Sequence, residues 1–303
     1  MPPRTITVGN RRIKVSNLDK VLYPEAGFTK GDVIDYYRGV AGVMVPHLRG
    51  RPVTLKRYPD GVEGSHFFAK SCPEHRPRWL HTATVRRKRD DKDMDYCLLD
   101  NESSLVWAAN LAALELHVAL AAAPALGRPR AIVFDLDPGP GRDVLDCAGV
   151  ALRLRDRLAD LGLEAVAKTS GSKGLHVFVP LNTRSASFDP AKELAHDLAS
   201  SLEAEDPDGV TATMSRAERG GKIFIDWSQN TEHKTTVCAY SLRARPRPTV
   251  STPVTWDEVA HAARRRDASL LTFTCDEVLD RVRDRGDLFE AARRKRQGLP
   301  AEA

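Results

Sequence analysis

The sequence predicts an α/β (α+β) protein whose central sheet is ferredoxin-like, or RRM-like, with the element order βαββαβ, packed against an N-terminal α/β subdomain. Two observations support this prediction. Strand-like and helical segments alternate in that order between Ala131 and Trp227, which is the order of the split βαβ unit. Roughly 125 residues precede this block, enough for a second packed layer. We expect a single domain over 1–303, with subdomains 1–128, 129–250 and 251–303, the last an Arg-rich helical tail.

The N-terminal subdomain is expected to mix helices and strands. The Thr29–Asp32 segment has a capping-box-like pattern, which predicts a helix that runs to about His47. Strand-like pieces follow at 51–57 and 66–70. A second helix is expected from about Ser103 to Leu120, in a largely apolar stretch.

The central block is more regular. Its first strand is an apolar run that ends in Asp135 and Asp137. Periodicity and turn residues place the other elements as a helix at 143–161, strands at 164–170 and 174–181, a helix at 190–204 and a strand at 222–227.

Composition excludes several classes of protein. No apolar run approaches the roughly 18–20 residues of a membrane span, and the first twelve residues lack the apolar core of a secretory signal. We therefore expect an intracellular protein, located in the cytoplasm. The net charge of +5 indicates a polyanionic partner or, alternatively, a solvated basic surface. The basic runs are 86–89, 243–247, 264–266 and 293–296.

The five cysteines are scattered and form no CxxC pair. An odd number without close spacing argues against a disulfide framework and is typical of a reducing compartment. The stretch His66–His75 contains a cysteine between two histidines, but it lacks the second spaced ligand pair of a zinc site.

Acidic residues end two of the predicted strands. Asp135 and Asp137 lie two residues apart, so both point to one face. A divalent oxygen-loving cation, Mg²⁺ or Mn²⁺, would offset their repulsion, whereas the alternative is a solvated strand-end turn. Asp226 ends the last strand, which pairs with the first in a βαββαβ sheet. Three such acids can hold two cations about 3.5–4 Å apart.

Other polar residues are candidate phosphate or base contacts. The turn that contains Ser170, Ser172 and Lys173 can direct backbone N–H groups and a positive charge at phosphate oxygens, although an ordinary hairpin turn also explains it. Lys56 and Arg57 are further phosphate contacts.

Three aromatic or imidazole side chains admit two interpretations each. Phe67 and Phe68 belong either to the core or to a platform that stacks on a base. His117 lies in an apolar segment, where a hydrogen-bonded core histidine is the more common case.

These motifs, taken in order, resemble the polymerase domain of bacterial DNA ligase D, in the archaeo-eukaryotic primase superfamily. The similarity covers roughly residues 15 to 285. The matching segments are 17–24, 56–61, 67–68, 133–139, 170–176, 226–230 and 240–245.

The resemblance implies a primase-like fold and a template-dependent nucleotidyltransferase. Such an enzyme adds nucleoside triphosphates, often ribonucleotides, to DNA 3′ ends during gap filling, end extension and non-homologous end joining. It implies Mn²⁺ or Mg²⁺, two ions, and as partners gapped or broken DNA with a 5′-phosphate, Ku and an ATP-dependent DNA ligase.

Residue roles also follow from the resemblance. The metal ligands would be Asp135, Asp137 and Asp226. The nucleotide would contact Lys56, His117, Ser170, Ser172, Lys173, Arg219 and Arg243. The DNA would contact Asn17, Lys20, Lys30, Phe67 and Phe68, the first three at a 5′-phosphate.

Two features depart from the family pattern. The chain ends near residue 303 without a ligase or nuclease module, so it is either a stand-alone relative or an excised domain. The loop 81–95 does not align with the family, which leaves its contact with DNA open.

Two other functions fit parts of the sequence. A haloacid-dehalogenase-like phosphatase also begins with an apolar strand and two aspartates, the first of which attacks phosphorus. A non-catalytic nucleic-acid-binding module could use the same sheet.

Overall fold

The computed structural model describes residues 3–86 and 92–300. In chain order, its strands are β1 (Arg4–Val8), β2 (Arg11–Val15), β3 (Val21–Tyr23), β4 (Phe28–Thr29), β5 (Pro52–Arg57), β6 (Phe67–Ala69), β7 (Thr82–Arg86), β8 (Asp93–Leu98), β9 (Ala113–Ala119), β10 (Ala131–Pro138), β11 (Val166–Thr169), β12 (Leu175–Pro180), β13 (Val210–Thr211), β14 (Ile223–Asp226), β15 (Thr235–Val237) and β16 (Pro253–Val254). Its α-helices are α1 (Lys30–Gly39), α2 (Ala41–Leu48), α3 (Glu102–Asn110), α4 (Val144–Asp160), α5 (Phe188–Glu205), α6 (Trp256–Arg265), α7 (Cys275–Arg285) and α8 (Glu290–Arg294).

The chain forms two compact units. Unit 1 comprises 1–124, 235–250 and 274–286, and unit 2 comprises 125–234, 251–273 and 287–303. The first boundary lies near the expected one at 128/129. The later segments alternate between the units, so the expected subdomains 129–250 and 251–303 are each shared between them.

The sheet of unit 2 confirms the predicted ferredoxin-like arrangement. Its strands lie in the order β13-β14-β10-β12-β11-β16, and β10 pairs antiparallel with both β12 and β14. The four strands of the βαββαβ unit are, in chain order, β10, β11, β12 and β14. Their spatial order is therefore fourth, first, third, second.

The helices α4 and α5 cover one face of this sheet. Ile132, Phe134 and Leu136 of β10 join side chains of both helices in one buried core. Because side chains alternate along a strand, Asp135 and Asp137 point to the other face. The helix α4 begins with a capping box formed by Asp143, as the position of its predicted start requires.

Unit 1 is built on a second sheet with the order β15-β9-β5-β8-β7, in which β6 also pairs with β5. The capping box at Thr29 is confirmed, but α1 ends at Gly39 and α2 follows as a separate helix.

The expected helix over Ser103–Leu120 is wrong in its second half. The helix α3 ends at Asn110, Ala112 adopts a φ of 55°, and β9 follows. Nearly all of β9 is buried, so its apolar run cannot be distinguished from a buried helix by periodicity. Pairing with β5 and β15 on its two edges decides for a strand.

The cysteine prediction requires one correction. Cys72 and Cys97 form a disulfide with their Cα atoms 4.9 Å apart, whereas Cys147, Cys238 and Cys275 are free and buried. Sequence spacing alone does not reveal this pair, because folding brings together residues 25 positions apart. A zinc site at Cys72 is excluded by the same bond.

Over residues 3–86 and 92–300, we find no helix with both the length and the apolar character needed to cross a bilayer.

Candidate active site

Four polar residues form one row across four neighbouring strands of unit 2. Asp135 lies directly opposite Asp226 on one side and opposite His176 on the other, and His176 lies opposite Lys168. Residues opposite each other in an antiparallel pair point to the same face. The structure therefore brings Asp226 beside Asp135, and Asp137 shares that face two residues further along β10.

Two glycines allow close backbone contact at the end of β10. A Cβ on Gly139 would lie 1.8 Å from the carbonyl oxygen of Arg219, and one on Gly174 would lie 2.0 Å from that of Leu136. Such distances are far inside van der Waals contact, so any side chain here would displace the backbone. The Gly139 N–H also donates to the carbonyl of Lys222 at 2.9 Å.

Asp135 is held by a chain of buried hydrogen bonds. His176 Nε2 lies 3.0 Å from Asp135 Oδ1, and His176 Nδ1 lies 3.0 Å from Lys168 Nζ. Lys168 is fully buried and donates to Ser251 Oγ at 2.7 Å. Because an ammonium group only donates, His176 Nδ1 accepts and Nε2 carries the proton that is donated to Asp135.

The Asp226 carboxylate caps the turn that follows β14. It accepts from Ser228 N–H at 3.0 Å, from Ser228 Oγ at 2.5 Å and from Gln229 Nε2 at 3.1 Å. These bonds direct the carboxylate at its own turn.

The three aspartates fit a divalent cation in residue type and backbone position, since carboxylate oxygens are the ligands that Mg²⁺ and Mn²⁺ prefer. Among the side chains that the structure describes, no group of three or more His, Cys, Asp or Glu is arranged so as to hold a metal ion. The hydrogen bonds from Ser228 and Gln229 to the Asp226 carboxylate belong to this arrangement.

The turn after β11 holds its own shape. Ser170 Oγ accepts from the N–H groups of Ser172, at 3.1 Å, and Gly174, at 3.0 Å. Ser172 and Lys173 are exposed, whereas Ser170 is buried. Ser172 and Lys173 are thus available to a ligand, and the role of Ser170 is to shape the turn.

Arg219 lies over the face of unit 2 that carries the aspartates. Its guanidinium is 3.6 Å from the ring centroid of Phe224, which lies directly opposite Asp137. It also donates to the carbonyl of Met214 at 2.8 Å.

A second charged cluster lies in unit 1, around the carboxylate of Glu115. Lys56 lies directly opposite Glu115 on β5, and its Nζ is 3.5 Å from Oε1. His117 Nε2 is 2.9 Å from Oε2, and Arg243 Nε is 3.4 Å from the same atom. The backbone N–H of Ala244 donates to Oε1 at 3.1 Å.

These contacts set the protonation of the cluster. Burial alone would raise the pKa of Glu115, but the hydrogen bond from His117 and the charges of Arg243 and Lys56 hold it well below its ordinary value. Burial lowers the pKa of His117 below 6.5, and the opposing effect of Glu115 does not offset this. Glu115 is therefore ionised and His117 neutral at pH 7.

The adjacent Phe67 and Phe68 are 46% and 53% exposed, so the core interpretation of this pair is wrong. They lie opposite Arg57 and Lys56 on β5, with each cation 5.1–5.4 Å from the ring centroid. Exposed aromatic rings beside cations are suited to stacking on bases.

The three residues expected at a 5′-phosphate surround one turn of unit 1. The N–H of Lys20 donates to the carbonyl of Asn17 at 3.1 Å, and the N–H of Lys30 donates to that of Lys20 at 2.8 Å. Lys20 Nζ pairs with Asp60 at 2.8 Å. Burial, followed by the charges of Lys20 and Arg57, lowers the pKa of Lys30 to about 8. An anion here would relieve that repulsion.

Several residues of these clusters were not singled out as site residues from the sequence. Glu115 lies two residues before His117 in a segment interpreted as a helix, and alternation along a strand would have paired them. Lys168 and His176 flank the Ser170 turn at positions that face each other in a hairpin. Only their polarity within apolar strands indicated a role.

The loop 81–95 is described except for 87–91, which lie outside the described residues.

Comparisons with known proteins identify the family of this chain. Residues 29–289 match the family described as LigD, primase-polymerase domain. The chain is 44% identical over 292 residues to the multifunctional non-homologous end joining protein LigD of Mycobacterium bovis, covering 94% of this chain and 37% of that protein. It is 30% identical over 292 residues to the bifunctional LigD of Bacillus subtilis, covering 96% and 46%.

Among solved structures, the polymerase domain of Mycobacterium tuberculosis ligase D in complex with DNA matches with a TM-score of 0.86 and 44% identity, covering 94% of this chain and 99% of that one. The chain spans less than half the length of each of these two relatives. The phosphatase alternative finds no support in these matches. The chain belongs to the LigD primase-polymerase domain family, a family of DNA-directed nucleotidyltransferases.

Proposed function

We propose that this chain adds nucleoside triphosphates, preferentially ribonucleotides, to the 3′ ends of template-paired DNA during gap filling and end joining. The observation that supports this most directly is the strand register that places Asp226 opposite Asp135, with Asp137 on the same face. The DNA in the solved relative and the end-joining names of the full-length relatives support the substrate and the process.

The reaction joins the primer 3′-oxygen to the α-phosphorus, and the bond from that phosphorus to the β-phosphate oxygen breaks. Pyrophosphate leaves, and the proton of the hydroxyl passes to solvent. Two divalent cations, Mn²⁺ or Mg²⁺, held by the three aspartates, would acidify the hydroxyl and neutralise the phosphates.

The remaining residues bind and orient the substrates. Within unit 2, Ser172, Lys173 and Arg219 contact phosphate oxygens, and Ser170 holds the turn that presents them. Within unit 1, Lys56, His117 and Arg243 contact the triphosphate.

DNA is held by residues of unit 1. The exposed rings of Phe67 and Phe68 stack on bases. Asn17, Lys20 and Lys30 bind the 5′-phosphate at the far side of a gap.

Two protein partners, Ku and an ATP-dependent DNA ligase, complete the proposal. We propose that Ku brings the broken ends together and that an ATP-dependent DNA ligase seals the product, in the cytoplasm at the nucleoid. The names of the relatives, which act in non-homologous end joining, support this assignment.

Primer extension tests the proposal. The substrate is a gapped duplex with a 5′-phosphate, offered with ribo- or deoxynucleotides and with Mn²⁺ or Mg²⁺ in turn. Asp135→Ala should abolish extension and leave DNA affinity within about twofold, because the carboxylate acts on the reacting atoms and not on the duplex.

The matched control is Asp197→Ala, which removes a carboxylate that is 69% exposed on α5. It should extend primers like the unaltered protein. DNA binding without any extension by the unaltered protein would indicate a binding module. A trapped aspartyl-phosphate would indicate a phosphatase.

A further inference from the structure

The charged cluster of unit 1 has its negative group underneath its basic groups. The Glu115 side chain is 3% exposed, whereas those of Lys56 and His117 are each 17% exposed and that of Arg243 is 18% exposed. A ligand can therefore reach the basic groups but not the carboxylate. A cluster that contributed only to stability would not require its basic groups to be accessible above a buried carboxylate.

The carboxylate is fixed on every side by unit 1. The strand pairing of β5 and β9 sets its distance to Lys56. Tyr58 Oη lies 3.5 Å from Oε1, and Ala244 N–H donates to the same atom. A group with so many partners cannot move without breaking several of them at once.

The segment that carries Arg243 is also tied down. Buried Tyr23 donates its hydroxyl hydrogen to the carbonyl of Arg243 at 3.1 Å, and buried Tyr36 donates to that of Tyr240 at 2.9 Å. Two buried tyrosines thus hold the backbone of this segment, and the side chain of Arg243 lies in ion-pair contact with Glu115.

Without the carboxylate, the basic groups would separate. The two cations, Lys56 and Arg243, repel one another when the negative charge between them is removed, and the neutral His117 imidazole loses its hydrogen-bond acceptor. Lys56 has four rotatable bonds and would populate other rotamers. A triphosphate would then have to order each side chain as it binds, which weakens affinity.

We propose that Glu115 is a positioning residue for nucleotide binding, holding the three surrounding basic groups as a preformed cradle for the triphosphate. This inference rests on the proposed function. It is distinct from simple charge balance, which makes the opposite prediction: removing a negative charge beside a polyanion site would strengthen binding.

The test compares Glu115→Gln with the unaltered protein. The probes are a fluorescent ribonucleoside triphosphate and inorganic tripolyphosphate, and binding is measured directly and by primer extension. We expect the Kd for both probes and the KM for nucleotide to rise about tenfold or more. In the variant, at least two long side chains lose conformational entropy when the ligand binds, whereas in the unaltered protein they are already ordered. The kcat at saturating nucleotide should change less than KM, and DNA affinity should not change.

Glu102→Gln is the matched control, since Glu102 on α3 pairs with Arg38 at 3.3 Å and has no place in the cluster. It should leave KM unchanged. Glu115→Asp keeps the charge on a shorter side chain and should restore part of the affinity. If Glu115→Gln does not fold, Glu115→Asp serves alone and should still raise Kd several-fold.

An unchanged or lower Kd and KM in the folded Glu115→Gln variant overturns the inference, as does an unchanged Kd in Glu115→Asp. The unaltered protein could fail to extend primers while Glu115→Gln still weakens the binding of tripolyphosphate. That result would support the positioning role of Glu115 and contradict the proposed function. The two failures are therefore distinguishable.

Discussion

Replacing Asp137 with asparagine should stabilise the protein in the absence of metal and abolish primer extension. Asp135, Asp137 and Asp226 share one face of the sheet of unit 2, so their charges repel in the absence of a cation. Asparagine has nearly the same shape and removes one charge. We choose Asp137 because it is the exposed member of the three, where the loss of packing is least.

The magnitude follows from the strand geometry. Asp137 lies diagonal to Asp226 and two residues along the strand from Asp135, at roughly 7 Å in each case. Each pair then repels by about 0.6 to 2.4 kcal/mol for effective dielectrics between those of water and a protein surface. Exposure favours the lower end, so the variant should gain about 1–2 kcal/mol. For a chain of this size that is a rise in Tm of about 1.5–3 °C.

The assay is thermal unfolding in EDTA and in excess Mn²⁺. The variant should be the more stable protein in EDTA. In Mn²⁺ the order should reverse, because a cation at a hundredfold excess over its Kd adds about 2.7 kcal/mol to the protein that binds it. Asp197→Asn, the same change at an exposed carboxylate on α5, should show neither effect.

Two results would refute the reasoning. A variant that is less stable than the unaltered protein in EDTA means that hydrogen bonds to Asp137 outweigh the repulsion. An equal gain from Mn²⁺ in both proteins means that Asp137 is not a ligand.

Four further outcomes are expected. Gly139→Ala should cost at least 1–3 kcal/mol of unfolding free energy in denaturant titration, because its Cβ would overlap a carbonyl oxygen. Gly149→Ala, in the exposed middle of α4 with open space around it, should instead add up to about 1 kcal/mol. Lys168→Met should weaken Mn²⁺ binding about tenfold in calorimetric titration, because His176 loses the group that fixes its tautomer. Folding lowers the pKa of Glu115, so the ionised carboxylate stabilises the protein above its ordinary pKa of 4.5, and this stabilisation is lost as the pH falls below that value. The unfolding free energy of Glu115→Gln should therefore decline less between pH 6 and 3 than that of the unaltered protein.

Local patterns predicted unit 2 well. The apolar run before Asp135 and the turn around Ser170 placed the strands, and the capping pattern placed the start of α4 within a residue. Each of these signals lies within a few neighbouring residues, where backbone sterics and side-chain alternation act.

Unit 1 was harder to predict because its strand β9 is buried on both faces. The segment Ala113–Ala119 has no alternation of polar and apolar residues that would distinguish a strand from a helix, apart from Glu115 and His117. When the segment is interpreted as a helix, Glu115 is not predicted to lie on the same face as His117. The disulfide between Cys72 and Cys97 likewise depends on contacts that spacing does not encode.

The amino-acid sequence by itself determined the order of the βαββαβ elements and the shared orientation of Asp135 and Asp137, because both depend on the short-range periodicity of a strand. Only the tertiary structure decided the register that sets Asp226, predicted on the neighbouring strand, directly opposite Asp135. It alone also decided that Lys168 reaches Asp135 through His176 and that Glu115 lies beneath three basic groups. Those contacts join strands far apart in the chain, and their register is set by the packing of whole sheets and not by any local pattern.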